Sequence, residues 1–360
     1  MLTAFFKREP RSACLLLFAG PLFALLVGGF VRHAQAEVLA DVYAAEFYVD
    51  GRQSSVLRLA QRDGLAEVMI KASGESSAAE SPQVIAALAE TERFLLSYRY
   101  EESEPDQLKL RLEYDEQAVR DLLQRAGLPL WTAKRPEILV WLVSNEEGRR
   151  RFVSAAEAPA AESALRDSFR KRGVPLLMPL FDLQDARSIS PGAAWRQSSA
   201  SLIEASARYP GATVLAGRVA RLSNGNWTGD WKLLDNGRWR SRSSSGANFG
   251  AFTDAGAALV AQTLASRYAV STQENQDQRY QVTLRGVRSY ADYSALQSVL
   301  GKLEAVQRVV PERLIGDQVT LRIDADADEQ QLSRIIELDG RFVPYSDPGG
   351  EPGLHYEWIQ

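Results

Sequence analysis

The run Glu137-Ile-Leu-Val-Trp-Leu-Val143 is apolar at six consecutive positions. A strand with one face in water alternates polar and apolar side chains, so this run predicts a strand covered on both faces. A second run, Val174-Pro-Leu-Leu-Met-Pro-Leu180, has the same character, and a third strand is expected from Ala212 to Leu222. Helical spacing fills the gaps, from about Ala160 to Arg172 and from Ser198 to Tyr209. Strand, helix, strand, helix, strand implies right-handed crossovers and a mostly parallel sheet with flanking helices. Trp227 to Leu234 and Arg238 to Ser243 then flank Asp235-Asn236-Gly237. Asn-Gly accepts the positive φ angles of a tight type I′ turn, so this is a hairpin signal. A helix from about Phe252 to Tyr268 closes an α/β module spanning 135–270.

Two smaller modules flank it. Residues 37–130 read as α+β: a strand from Val38 to Val49, helical spacing at Val56, Leu59, Leu65, Val68 and Met69 with Gly74 as a stop, and a second helix opened by Ser81-Pro82. Strands follow at Arg93 to Tyr100 and Leu108 to Tyr114. In the second, Leu108, Leu110, Leu112 and Tyr114 alternate with polar neighbours, which predicts one wet sheet face. Asp115 caps a last helix that Gly127 ends. After a polar linker, Ser271 to Gln278, residues 278–345 give the βαββαβ order of a ferredoxin-like module: Tyr280 to Val287, Asp292 to Leu303, Val306 to Leu314, Gln318 to Ile323, Glu329 to Leu338, then Phe342-Val343. Residues 346–360 are Pro- and Gly-rich and are expected as a flexible tail. The expected class is therefore α/β and α+β in three small modules.

Residues 1–36 divide like a secretory signal: basic Lys7, Arg8 and Arg11, an apolar stretch from Ala13 to Val31, and Ala34-Gln35-Ala36, which predicts cleavage after Ala36 and a periplasmic location. The apolar stretch nears the length of a membrane span, so an uncleaved inner-membrane anchor facing the periplasm is the alternative, and membrane contact is expected only in that case. The only cysteine, Cys14, lies in this segment, and His33 leaves with it. A mature chain without thiols has no disulfides, thiolate nucleophiles or Cys-ligated metals, and the single remaining His355 builds neither a Ser-His-Asp triad nor a multi-histidine zinc site. No cofactor is implied. Carboxylate or lysine chemistry stays open. After cleavage 38 basic side chains face 45 acidic ones, a balance that makes nucleic acid a poor partner.

The candidate sites compete with plainer readings. Asp324-Ala-Asp-Ala-Asp-Glu329 starts like a calcium loop, but Glu329 stands where glycine is needed and Ile335 where a bidentate Glu is needed; a helix cap accounts for it better. Trp227, Trp231 and Trp239 form either an aromatic platform for a glycan, peptide or protein or the packing between hairpin and helix. A two-residue turn would put Trp239 opposite Leu234 and the other two on the reverse face. Arg238, Arg240 and Arg242 project from one face, and Arg149-Arg150-Arg151 reads as a basic loop. Ser168-Phe-Arg-Lys171 matches Ser-x-x-Lys without the companion motifs of penicillin-recognising enzymes.

Arg135-Pro136 with Leu139-Val-Trp-Leu142, Arg172-Gly-Val-Pro175 with Met178-Pro-Leu-Phe-Asp-Leu183, Ala207-Arg-Tyr209 with Val214-Leu-Ala-Gly-Arg218, and the Trp-rich hairpin resemble an uncharacterised family of bacterial secreted proteins, over roughly 37–270. That resemblance carries no catalytic residues. More loosely, the plan resembles periplasmic accessory proteins such as FlgT, the TolB amino-terminal domain, CsgG and the penicillin-binding-protein activators, which implies docking on partners. The expectation is a non-enzymatic interaction or assembly protein with an envelope protein partner. The alternatives are a glycan- or peptide-binding module using the Trp hairpin, and a hydrolase with two converging acids about 5 to 10 Å apart. The sequence says nothing of oligomeric state.

Overall fold

Alternation in the first module resolves into a three-stranded antiparallel sheet. The computed structural model describes residues 37–38, 41–104, 107–209, 211–235, 237–270, 278–346 and 352–359; the expected signal segment, Asn236 and the Ser271–Asp277 part of the expected linker lie outside them. The sheet places β3 (Gln107–Tyr114) between β1 (Ala44–Val49) and β2 (Leu95–Glu104). Leu110, Leu112 and Tyr114 are buried under α1 (Ser54–Ser73) and α3 (Glu116–Ala126), with the short α2 (Pro82–Ala87) beside them. The opposite face is a lattice of ion pairs, Arg111 with Asp41, Glu46 and Glu113, and Lys109 with Glu46. Gly74, at φ +73°, ends α1 in the left-handed region a Cβ disfavours, and its Cβ would also strike Ala265 of the next module at 2.2 Å. Asp115 accepts the Ala118 N–H at 2.7 Å as the N-cap of α3.

The middle sheet is built on β4 (Ile138–Glu146), whose first seven residues are all buried. It runs β8-β7-β6-β4-β5, with β5 (Arg149–Phe152), β6 (Thr213–Arg221), β7 (Trp227–Asp235) and β8 (Arg238–Gly246). β4 is parallel to β6 and to Leu176–Leu177; the other pairs are antiparallel. Two expectations need correction here. The apolar run at 174–180 supplies only the two-residue strand Leu176–Leu177, since Pro175 and Pro179 have no N–H to give a ladder. The basic run Arg149-Arg150-Arg151 is a strand, because Glu147 (φ 52°) and Gly148 (φ 81°) make a tight positive-φ turn that folds it back on β4.

α4 (Pro159–Lys171) and α8 (Phe249–Tyr268) cover one face of this sheet, with Trp231, Phe252, Leu165 and Phe169 between them. The other face lies under α5 (Leu183–Ser188), α6 (Pro191–Trp195) and α7 (Ser199–Ser206). Here Trp141 donates to Ser206 Oγ at 3.0 Å and meets Phe152, Phe181 and Tyr209 edge-on or tilted.

The last module has α9 (Tyr290–Leu300) and α10 (Glu329–Glu337) against a five-stranded sheet, ordered β10-β11-β9-β13-β12. Its strands are β9 (Gln278–Arg285), β10 (Val306–Ile315), β11 (Gln318–Ala325), β12 (Phe342–Pro344) and β13 (Leu354–Trp358). The expected tail at 346–360 is thus corrected over 354–358: β13 lies between β9, to which it is parallel, and β12. Leu354, Tyr356 and Trp358 alternate with His355 and Glu357, a period-two pattern, and Tyr356 and Trp358 are buried against Phe342. One apolar cluster runs through the first and last modules together, from Leu110 and Leu122 to Leu303 and Ile335, within a single compact unit, Arg32–Gln360.

Candidate binding cleft at the module junction

The segment joining the first two modules is pinned at both ends. Leu130–Trp131 pairs with Ala269–Val270, and Lys134–Arg135 pairs with Glu37–Val38. Arg135 is fully buried. Its guanidinium donates to four carbonyls, Thr132 (2.9 Å), Trp131 (2.9 Å), Lys71 (2.9 Å) and Gly173 (2.6 Å), and lies 3.7 Å from the Trp131 ring centre. One side chain therefore closes the end of α1, the joining segment and the turn after α4. Burial pulls it down to about 9, above neutrality, so it stays charged. Lys71, beside it, donates to the Ala44 carbonyl at 2.6 Å and pairs with Glu67 at 3.4 Å, while burial lowers its ammonium from the ordinary range.

The same segment walls a cleft of about 380 Å³. Ala133 and Lys134 form one side, Val299, Leu303 and Ile335 an apolar floor, and Lys302, Glu304, Asp339 and Arg341 complete the rim. Glu304 accepts the Ala133 N–H at 2.9 Å and pairs with Arg120 of α3 at 3.4 Å, so it clips the last module to the first. Asp339 takes both Lys134 and Arg341. Burial pushes the Glu304 carboxyl up against the opposing pull of Ala133 and Arg120; Asp339 goes down, because its hydrogen bonds to Arg341 and Lys134 outweigh the burial that is its largest single influence. Each carboxylate is thus committed to contacts that hold the modules together.

The sign of the Glu304 shift gives a test. A carboxyl raised in the fold holds its proton more tightly folded than unfolded, so its contribution is full below the ordinary glutamate value of about 4.3 and is lost as pH rises through the folded value. Glu304→Gln keeps an oxygen for the Ala133 N–H and removes the titration. Thermal melts of both proteins from about pH 4 to pH 8 should show the wild type losing ground to the variant as pH rises; a difference curve sloping the other way contradicts this.

The residues singled out in the sequence are dispersed. The β7–β8 register sets Leu234 opposite Trp239, so Trp239 faces one side and Trp227 and Trp231 the other. Trp231 has no exposure: it stacks on Phe252 at 4.7 Å and donates to the Phe252 carbonyl at 2.9 Å, so it belongs to no surface and the three tryptophans form no common platform. Trp227 leans on Phe249, and Trp239 lies 4.9 Å from the Lys232 ammonium. Arg238, Arg240 and Arg242 line one face of the edge strand β8, with Arg240 paired to Asp235 and Arg242 donating to Gln262. Ser168 is buried against Thr253 at 2.7 Å, and Asp328 caps α10 in a capping box with Gln331. Among the described residues no cluster of His, Cys, Asp and Glu could hold a metal ion, and no helix is long and apolar enough to cross a membrane.

The cleft itself was missed in the sequence. Its walls come from 132–134, 299–304 and 335–341, segments joined by no motif. Two charges flanking one leucine, as in Lys302-Leu303-Glu304 after a helix, read as ordinary surface.

Comparison with known families matches residues 36–132 to a model described as Domain of unknown function (DUF8605). That is consistent with an uncharacterised domain family, and it takes in the first module; the residues from Arg135 to Arg218 that carried the resemblance to a secreted family lie beyond it. No curated protein matches the chain.

Proposed function

We propose that this is an exported protein of the bacterial envelope that acts by docking a partner protein, without catalysis of its own. The observation that supports docking is the edge strand β8. Its nine residues keep unbroken register with β7, and no described strand covers its other side. Edges that proteins protect carry bulges or proline, as β2 and β10 do: both have register shifts, and β10 also holds Pro311. β8 has neither, and its exposed Arg238 and Arg240 suit an extended acidic segment adding as a further strand. The carboxylates of the cleft are engaged in structural pairs, which weighs against the two-acid hydrolase reading.

The test places a photocrosslinker at Ser241 in intact envelopes, with Arg149 on the far edge as control. One reproducible protein should be captured from Ser241 and not from Arg149. Arg238→Glu with Arg242→Glu, one exposed and one half-buried position that leave the Asp235 pairs intact, should lower that capture about tenfold, taking roughly 1 kcal/mol or less for each charge reversed. Equal capture from both edges, or capture indifferent to the charge reversal, contradicts the proposal.

A further inference from the structure

The cleft between the first and last modules has the build of a small-ligand site. It lies at a module junction, its floor of Val299, Leu303 and Ile335 is apolar, and its rim carries a few charged groups held in place by neighbours. The hollow between α1 and the segment after α2 differs in being walled mostly by charged side chains, Arg58, Arg62, Glu90, Glu92 and Arg93.

The charges on the rim select the ligand. Three cations, Lys134, Lys302 and Arg341, face two carboxylates, Glu304 and Asp339. Lys134 and Arg341 are both bound to Asp339, and Glu304 is bound from behind by Arg120 and the Ala133 N–H. Lys302 makes no ion pair among the described residues and stands at the mouth, one residue from Leu303 on the floor. We propose that this cleft binds a small amphipathic carboxylate, its apolar body on Val299, Leu303 and Ile335 and its anionic head at Lys302. A positive rim over an apolar floor also discriminates, since a cationic amphiphile of the same length would bury the same area and meet like charge. This site is independent of the docking edge on β8.

Decanoate, kept below its micellar concentration, is the probe, and decylammonium is its opposite-charge control. Calorimetric titration of the full chain should give one decanoate per protein and no saturable decylammonium binding. Lys302→Glu, a change at an exposed position, should weaken decanoate about fivefold or more. Val299→Trp, which fills the floor, should abolish its binding. The proposal is overturned if decanoate does not saturate, if decylammonium binds as well, or if Lys302→Glu binds decanoate like the wild type.

Discussion

Arg135→Met should destabilise the protein by about 4 kcal/mol, the scale for leaving several buried carbonyls without a donor at about 1 to 3 kcal/mol each, offset in part by no longer burying the charge, out of a total that for most proteins is only about 5 to 15 kcal/mol. Four carbonyls, on Lys71, Trp131, Thr132 and Gly173, lose their donor at once, and none lies where water can replace it without opening the junction. Methionine fills much of the volume over the Trp131 ring, so the loss reports the hydrogen bonds more than a cavity. Arg135→Lys keeps the charge but has one compact ammonium in place of a planar fork, and should recover less than half of the loss. Urea unfolding of the three proteins measures this. A loss under about 1 kcal/mol for Arg135→Met would mean that the four carbonyls find other partners.

Trp231→Ala should cost about 3 to 5 kcal/mol, the range for emptying a large aromatic site in a core. The ring is held on three sides: it stacks on Phe252, and Gly217 and Gly256 approach so closely that a Cβ on either would lie 2.5 or 2.4 Å from it. Those glycines make the room the indole occupies. Gly256→Ala should therefore destabilise the wild type by about 1 to 3 kcal/mol through overpacking and cost much less in the Trp231→Ala background. The four-way cycle of thermal melts reads the coupling. Additive losses would place the strain of the alanine elsewhere than against this ring.

Much of the fold was written in local signals. The expected hairpin register, Leu234 opposite Trp239, is the one observed, and the caps Asp115 and Asp328 and the stop at Gly127 act where turn and cap chemistry put them. The failures have physical causes. β13 follows a Gly- and Pro-rich stretch and is five residues long, so its alternation was too brief to stand out. α6 starts with Ser190-Pro191, the same pair that announced α2, but the helix is only five residues long. Arg135 could not be read as buried, because an arginine is expected at the surface until tertiary structure gathers acceptors from 71, 131, 132 and 173 around it. The cleft is illegible for the same reason: Ala133 meets Glu304 across 171 residues, and sequence spacing holds no trace of that meeting.

The placement of β13 has a kinetic corollary. β12 precedes it in the chain yet, among the described strands, pairs with β13 alone, so the last sheet cannot zip up in the order in which its residues are joined. Phe342 and its strand therefore reach the sheet only through Leu354–Trp358, whose parallel pairing with β9 joins segments far apart in sequence, a long-range contact of the kind that slows folding.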